Sequence, residues 1–543
     1  MSTKSIRARL AADPNVGAGN VLTTLVELDL GLDTPQFTFD TAAGQTGAGD
    51  IQAWQPLTLR QLHELTAARA AALAGIGIRK RDPVAVIAPT AVDTAVTFLA
   101  LARIGAIPAL INPSLAPELA VRFIGKLNAV GLVTDSAHAA LLPESATGTP
   151  VLSDDFAQLN GDPASAPAPY RWFPTDPVAI THSSGTTDLP KAVVHSHQSL
   201  YAAIRYRLSL PRPQGTERML SALPCPHAAG LIILNLGMSY GSEVAMLSQQ
   251  TGPSVLAAID SWRPHAVVGF STTWPDLVKA DLSKHDLSTV ALWWNTGDCA
   301  HEAHIRRLVA CGTRQTVTRA GREQVPGSVF VDGLGSSEMG HSHFFIAHTP
   351  DTSHYHRCIG KVHSFADAKV FGPDGDELPN GQVGELGTKS TTLSLGYWND
   401  SAGTYRTRFG GYFLTGDLVY RDDEGYFYHL DRKLDSVDLG NGQFIYTSAS
   451  EERILAACPD VLDCTIVAIR DGDVVRTDVL LQLEASADPA ADRTDEIRAA
   501  LEPHVAATLR NVIAVDDDKI PLTPTGKVRK FVLRQRHLES ATP

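Results

Sequence analysis

Cysteine is scarce in this chain: six residues in 543 (Cys225, Cys299, Cys311, Cys358, Cys458 and Cys464), none in a CxxC pair. That scatter argues against a disulfide framework and fits reduced thiols in a cytoplasm. Basic residues are in the minority, 46 against 59 acidic for a net charge of −13, and no basic block stands out. Neither nucleic acid nor an anionic membrane is therefore an expected partner. Long apolar runs are missing too: Val96 to Leu110 is broken by Arg103 and Pro108 before it could span a bilayer. At the N-terminus, Lys4, Arg7 and Arg9 precede Asp13-Pro14 where a secretory signal needs an apolar stretch. A soluble, cytoplasmic protein is expected.

What is present is a chain long enough for roughly three to four folding units, with 44% hydrophobic residues to fill their cores. Thr58-Leu59-Arg60-Gln61 reads as a capping box, and Leu62, Leu65 and Leu73 at helical spacing predict a helix that stops at Gly75 and Gly77. Apolar runs at Val84–Ala88 and Gly131–Thr134, with a helical pattern at Val92–Arg103 between them, predict parallel α/β layers. Pro143–Tyr170, rich in Pro, Ala, Ser and Gly, reads as surface connection. Gly372, Pro373, Gly375, Pro379, Gly381 and Gly384 punctuate short apolar segments and predict a smaller β-rich unit at about 355–433. Beyond Arg432, strand patterns at Thr465–Ile469, Val479–Leu483 and Val512–Val515 and a helical one at Asp495–Leu509 predict a compact terminal α+β domain.

Two distant segments carry chemistry. Ser183-Ser184-Gly185-Thr186-Thr187-Asp188-Leu189-Pro190-Lys191 follows the apolar run Val178-Ala179-Ile180 and packs hydroxyls, a glycine and a lysine into a turn, an arrangement that wraps a polyphosphate. It is not a Walker A loop, because no second glycine precedes Lys191 and Ala192 follows it. Pro521-Leu522-Thr523-Pro524-Thr525-Gly526-Lys527 places a lone lysine on an ordered loop near the C-terminus. Two cations from separate domains converging on one nucleotide is the expectation.

The string HSSGTTDLPK, then GLGSSEMG (Gly333–Gly340), GQVGEL (Gly381–Leu386), GYWND (Gly396–Asp400), GYFLTGD (Gly411–Asp417), DRKLDSV (Asp431–Val437) and PLTPTGK resemble, in order, the core motifs of the adenylate-forming superfamily. That superfamily contains acyl-CoA and aryl-CoA synthetases, peptide-synthetase adenylation domains and beetle luciferases, and the resemblance runs from about Thr58 to Lys530. It implies a large N-terminal domain of layered α/β subdomains (1–433) and a small mobile α+β domain (434–543) bearing the catalytic lysine. It implies attack of a carboxylate on the α-phosphate of ATP to give acyl-AMP and pyrophosphate, with Mg2+ as cofactor. Coenzyme A is then the implied acceptor, or alternatively a carrier protein; with no carrier segment after Pro543, free coenzyme A comes first.

The resemblance also assigns roles. Thr186, Thr187 and Lys191 would hold the β and γ phosphates, with Ser183, Ser184 and Gly185 in the same loop. Glu338 would ligate the metal, a sensible task for a hard carboxylate beside phosphate, and Ser337 would sit near the α-phosphate with Gly333, Leu334 and Ser336 alongside. Asp417 would accept the ribose hydroxyls, Arg432 would reach ribose or phosphate, and Lys527 would bridge the reacting carboxylate and the α-phosphate. His227 would lie between acyl pocket and thiol tunnel. No Asp stands near it to pair an ammonium, so the expected substrate is a carboxylic acid without an α-amino group. Ala229, Gly230, Gly297 and Asp298 would line the acyl pocket, whose small residues suggest a bulky acid.

The chain departs from the pattern at Asp188, where the loop usually has glycine, at Leu334, where a tyrosine usually stacks on adenine, and at the hinge Lys433-Leu434, where Asp438 also replaces a common lysine. Those departures motivate the rival of another class, a non-catalytic binding protein that keeps the fold. A hydrolase elbow at Gly340-His341-Ser342-His343 lacks its closing glycine. The pairs His341/His343, His354/His356 and His195/His197 lack partners that would complete a metal site, and read as solvated or hydrogen-bonded.

Overall fold

The computed structural model describes residues 3–47, 49–183, 189–318, 321–440, 442–523 and 525–539. The first layer is a seven-stranded sheet whose inner strands, Pro83–Val86, Ile107–Leu110 and Gly131–Val133, run parallel, with Val151–Ser153 on one edge. Val84, Ala85 and Val86 are all buried, the pattern of a strand covered on both faces. The helix Leu59–Gly75 covers one face with Ala91–Ile104, and it begins on the expected capping box: Gln61 N–H donates to Thr58 Oγ1 at 3.2 Å and Thr58 N–H to Gln61 Oε1 at 2.9 Å. The stretch 143–170 is more than surface connection. It supplies the edge strand, buries Phe156 and Leu159, and lays Gly161 so close to the helix that a Cβ there would stand 2.9 Å from Ala72 N.

A second, fourteen-stranded sheet has a parallel run through Glu243–Met246, Arg218–Ser221, Ala266–Phe270, Leu292–Thr296 and Val329–Asp332. It continues antiparallel through Phe344–His348, Cys358–Val362, Phe427–Arg432, Tyr412–Arg421, Gly384–Ser390 and Ala366–Phe371. The β-rich stretch is thus joined to the parallel layer by a shared ladder. Within the β-rich stretch, the register of Tyr412–Arg421 against Phe427–Arg432 sets Asp417 opposite Arg432.

The terminal unit has its own three-stranded sheet, Val461–Asp471, Val474–Leu483 and Leu509–Ala514, and an apolar core around Ile454, Ile466, Val479 and Ile497. The expected helix 495–509 is two short pieces, Thr494–Ala500 and Pro503–Ala506, because Glu502 precedes a proline and adopts the extended conformation that position favours. The six cysteines are free thiols. Among the described residues no helix is long and apolar enough to cross a membrane.

Candidate active site

The terminal unit and the strand ends of the large sheet enclose a cleft of about 900 Å³. Its floor is a corner at the end of Leu292–Thr296. Gly297 takes φ +90°, a left-handed conformation that glycine adopts without a Cβ clash, and its carbonyl accepts a 2.7 Å hydrogen bond from Gly335 N–H. Two motif loops distant in sequence are thereby tied together. Beneath them, buried Trp274 Nε1 donates to Asn295 Oδ1 at 2.8 Å, and Asn295 Nδ2 reaches both the Asp298 carbonyl at 2.7 Å and Asp332 Oδ1 at 2.6 Å. Burial pushes the Asp332 carboxyl up to about 6 despite those donors.

Asp298 stands at the centre of the charges. Lys527 Nζ lies 3.5 Å from its Oδ2, and Arg357 and His429 lie 3.4 and 3.9 Å from its Oδ1. Burial alone would raise its pKa, but Lys527, His429, Arg357 and Arg432 together outweigh that and hold the carboxyl below the usual range. Lys527 reaches it because the C-terminal loop docks on the large unit: Thr272 Oγ1 donates to the Thr525 carbonyl at 3.0 Å, and Gly526, at φ +78°, passes so near that a Cβ would stand 3.0 Å from Thr272 Oγ1.

His227 caps the helix Ala228–Tyr240, its Nδ1 accepting from Ala229 N–H at 3.1 Å. That bond leaves Nε2–H to donate to Ser337 Oγ, 3.1 Å away. Burial, with His182, His195 and Lys527 nearby, pushes the imidazole down to about 3, so it stays neutral. Its ring meets Phe270 edge-on at 4.9 Å. Across the cleft, Glu338 Oε1 accepts from Tyr397 O–H at 3.0 Å, and Lys191 Nζ sits 3.4 Å from the same phenol and 4.9 Å from its ring centroid. Burial and then Glu338 raise the phenol's pKa, keeping it a donor.

The expected residues therefore divide. His227, Gly297, Asp298, Ser336, Ser337, Glu338, Arg432, Lys433, Leu434, Lys191, Ser183 and Lys527 all border the cleft. Ser184, Gly185, Thr186 and Thr187, with Asp188, lie outside the described residues. Ser183 Oγ accepts from Lys191 N–H at 3.0 Å, which closes the neck of that loop. Leu334 does not present itself to a nucleotide: it is 3% exposed, packed with Cys299, Met339 and Phe344 in the core of the β-rich stretch. Gly230 does not open the acyl pocket either, and Gly333, expected beside the nucleotide, is small for the same packing reason. A Cβ on Gly230 would stand 2.5 Å from the Pro224 carbonyl oxygen, and one on Gly333 2.3 Å from that of Phe344, so both are small to let backbones approach. Ala229 is partly exposed beside them. Asp417 is buried; its Oδ1 lies 3.1 Å from Arg432 and 3.4 Å from His429 yet receives no hydrogen bond, leaving an acceptor unmet. Lys433 Nζ pairs with Glu385 at 2.7 Å, whereas the Leu434 side chain stands 68% exposed.

Sequence reasoning gave no role to Phe270, Arg357, His429, Thr272 or Tyr397. Only Tyr397 stood inside a recognised motif; Phe270 and His429 lie on strands, and Thr272 and Arg357 within two residues of a strand end. Of the histidine pairs, His195 bonds Thr181 at 2.9 Å, His197 stacks on Trp172 and His343 bridges Thr388 and Thr392, all buried, whereas His356 of the pair His354/His356 is exposed. Among the described residues no group of three or more His, Cys, Asp or Glu is placed to hold a metal. Glu338 alone suits Mg2+ that takes its remaining oxygens from phosphate and water, a normal way for that ion to be held.

The AMP-binding enzyme family matches residues 39–398. The chain is 42% identical to 3-aminoavenalumate diazotase from Streptomyces sp over 98% of its own length and 97% of the relative's. It is 27% identical to 4-coumarate--CoA ligase 5 from Oryza sativa subsp. japonica, covering 92% and 90%. In fold it superposes on the anthranilate CoA ligase AuaEII, crystallised with anthranoyl-AMP, at TM-score 0.81 with 19% identity and complete coverage of both chains. The chain belongs to the AMP-binding enzyme family within the adenylate-forming superfamily, and is an ATP-dependent, AMP-forming ligase.

Proposed function

We propose that this enzyme adenylates nitrite and delivers the activated nitrogen to an arylamine, giving an aryl diazonium ion. The observation that carries the adenylation is the convergence of Lys527, from the terminal loop, with Ser337, Glu338 and Arg432 in one cleft. The acceptor is suggested by the full-length 42% relative, whose name is that of a diazotase. Diazotisation takes its second nitrogen from nitrite or an equivalent nitrosating agent, and nitrite, like a carboxylate, is an oxyanion that can attack the α-phosphate of ATP.

The atoms balance. A nitrite oxygen attacks the α-phosphorus and pyrophosphate leaves, giving a nitrosyl–AMP mixed anhydride. The amine nitrogen attacks the nitrosyl nitrogen and AMP leaves, giving a nitrosamine after loss of a proton. Tautomerisation and departure of hydroxide give the diazonium ion. Lys527 would neutralise charge on the α-phosphate once nucleotide draws it from Asp298. Asp417, with its unmet acceptor, is suited to a ribose hydroxyl, and Glu338 to Mg2+ on the phosphates. Lys433-Leu434 would be the hinge about which the unit 434–543 moves away from 1–433 for product release.

A second reading is acyl transfer: a bulky carboxylic acid, adenylated in the same cleft, passes to the thiol of coenzyme A or of a carrier protein. The 4-coumarate--CoA ligase likeness favours it. Purified protein, ATP and Mg2+ with 15N-nitrite and a panel of arylamines, against carboxylic acids with coenzyme A, separates the two by mass spectrometry. A 15N-labelled diazonium and AMP are expected. A thioester without label would replace this reading, and release of no pyrophosphate in either arm would favour the non-catalytic binding protein.

A further inference from the structure

The carboxylate of Asp298 divides its two oxygens between different kinds of partner. Oδ1 is held by fixed protein donors: Cys299 N–H donates to it at 2.8 Å, and Arg357 Nη2 lies 3.4 Å away. Oδ2 has one partner among the described residues, Lys527 Nζ at 3.5 Å. Asp298 and Lys527 both border the cleft, and their side chains stay 26% and 27% exposed, so this contact is open to a substrate. Arg357 is set in place against the preference of its own backbone. It and His356 take φ of +59° and +57°, a left-handed conformation unfavourable for residues with a Cβ. Its guanidinium is pinned there, Nε–H donating to the His429 carbonyl at 3.2 Å and Nη2 to His429 Nδ1 at 2.8 Å. The hold on Oδ1 is thus independent of Lys527.

The two oxygens fare differently once the lysine moves. Lys527 carries its ammonium on a flexible four-carbon stem, so nucleotide draws it off Oδ2 while Cys299 and Arg357 keep Asp298 where it is. Oδ2 then stands ionised beside the guanidinium with no donor of its own, a costly condition for an acceptor in an enclosed cleft. Other carboxylates of the cleft keep their partners: Glu338 has Tyr397, Glu385 has Lys433 and Glu451 has Lys530. Two kinds of nucleophile differ sharply at such an oxygen. An arylamine donates one N–H to it and leaves its lone pair for the activated group. A thiolate has no hydrogen to donate and meets a like charge.

We propose that Asp298 is a specificity-determining residue for the acceptor: its Oδ2, released by Lys527 when ATP occupies the cleft, accepts an N–H of the arylamine and orients that nitrogen. This deepens the arylamine reading above and rests on it. The amine site is complete only with nucleotide bound, so nucleotide raises the affinity for amine and, by linkage, amine raises the affinity for nucleotide. Nucleotide enters first and the acceptor second.

The test is equilibrium binding of 3-aminocinnamamide and its isostere 3-methylcinnamamide to the full-length protein by calorimetry, without nitrite. Both probes are uncharged, so no carboxylate competes for the cations of the cleft. With Mg2+ and α,β-methylene ATP, wild type is expected to favour the amine by at least ~10-fold, the yield of one hydrogen bond to a charged group. Without nucleotide, where Lys527 occupies Oδ2, the two affinities should lie within about threefold. Asp298→Ala should remove the preference in both conditions, and Asp298→Asn should keep part of it through the amide oxygen. A wild-type preference that is absent, or the same with and without nucleotide, overturns the proposal, as does an Asp298→Ala variant that retains it. Should Asp298→Ala lose its cooperative thermal transition, the nucleotide dependence of wild type and of Asp298→Asn decides alone. A nucleotide-dependent amine preference without 15N product would remove the diazotase reading and leave the amine site standing; 15N product without that preference would do the reverse.

Discussion

Single side chains set the charge state of the cleft. Lys527 is part-exposed and its resting partner is Asp298, so its removal costs little in the free protein. Its work falls in the step where charge gathers on phosphate. Lys527→Ala is expected to slow pyrophosphate release at least ~100-fold, with a melting temperature close to wild type; unaltered release would move the catalytic cation elsewhere. Acid behaviour follows from the enclosed imidazoles. Burial pushes His195 to about 4, and His227 and His343 to about 3, below the usual histidine value of 6.5. A histidine whose folded pKa is depressed binds a proton more readily unfolded, so its contribution is full above 6.5 and declines as pH falls toward the folded value. Each would cost up to about 2 kcal/mol by pH 5. Urea midpoints at pH 7.5 and 5 should fall steeply for wild type and less for His343→Asn.

Elements place those side chains. The helix Ala228–Tyr240 begins with a histidine cap and meets the preceding turn at Gly230, where a Cβ would stand 2.5 Å from the Pro224 carbonyl oxygen. Gly230→Ala should therefore lower stability by about 1–3 kcal/mol and tilt His227 away from Ser337, seen as a lower unfolding midpoint and a raised KM. Local chemistry of this kind was legible in the sequence: the Thr58 cap, the turn glycines of the β-rich stretch and the order of the motifs all rest on neighbours in the chain. What rests on distant neighbours was not. Leu334 read as a nucleotide contact because the family resemblance puts it at an adenine-stacking position, but the apolar residues Cys299, Met339 and Phe344 draw it into a core. The stretch 143–170 read as exposed because of its composition, although the helix Leu59–Gly75 offers a surface for Phe156 and Leu159 to cover.

At the scale of the molecule, the terminal unit carries its own core and meets the rest through polar contacts: Lys279 with Asp517 at 2.8 Å, His301 with Glu452 at 2.6 Å, and Arg307 with Glu484 at 2.6 Å. Between the units the chain passes through Lys433 and Leu434, whose side chains are largely solvated. Limited trypsin treatment is expected to cut first after Lys433, and a non-hydrolysable ATP analogue to slow that cut by bracing both units. Cleavage that begins elsewhere, or ignores nucleotide, would mean that the two halves do not part there.

The loop that brings Lys527 inward fits closely against Thr272, and Gly526 there takes a left-handed φ of +78° that a side chain would strain. Grafting the tail of another family member onto this body should consequently succeed only where the donor sequence also has glycine before its lysine. A bulkier residue there would act as a spacer, holding the amine short of the phosphorus while both halves of the chimera fold normally.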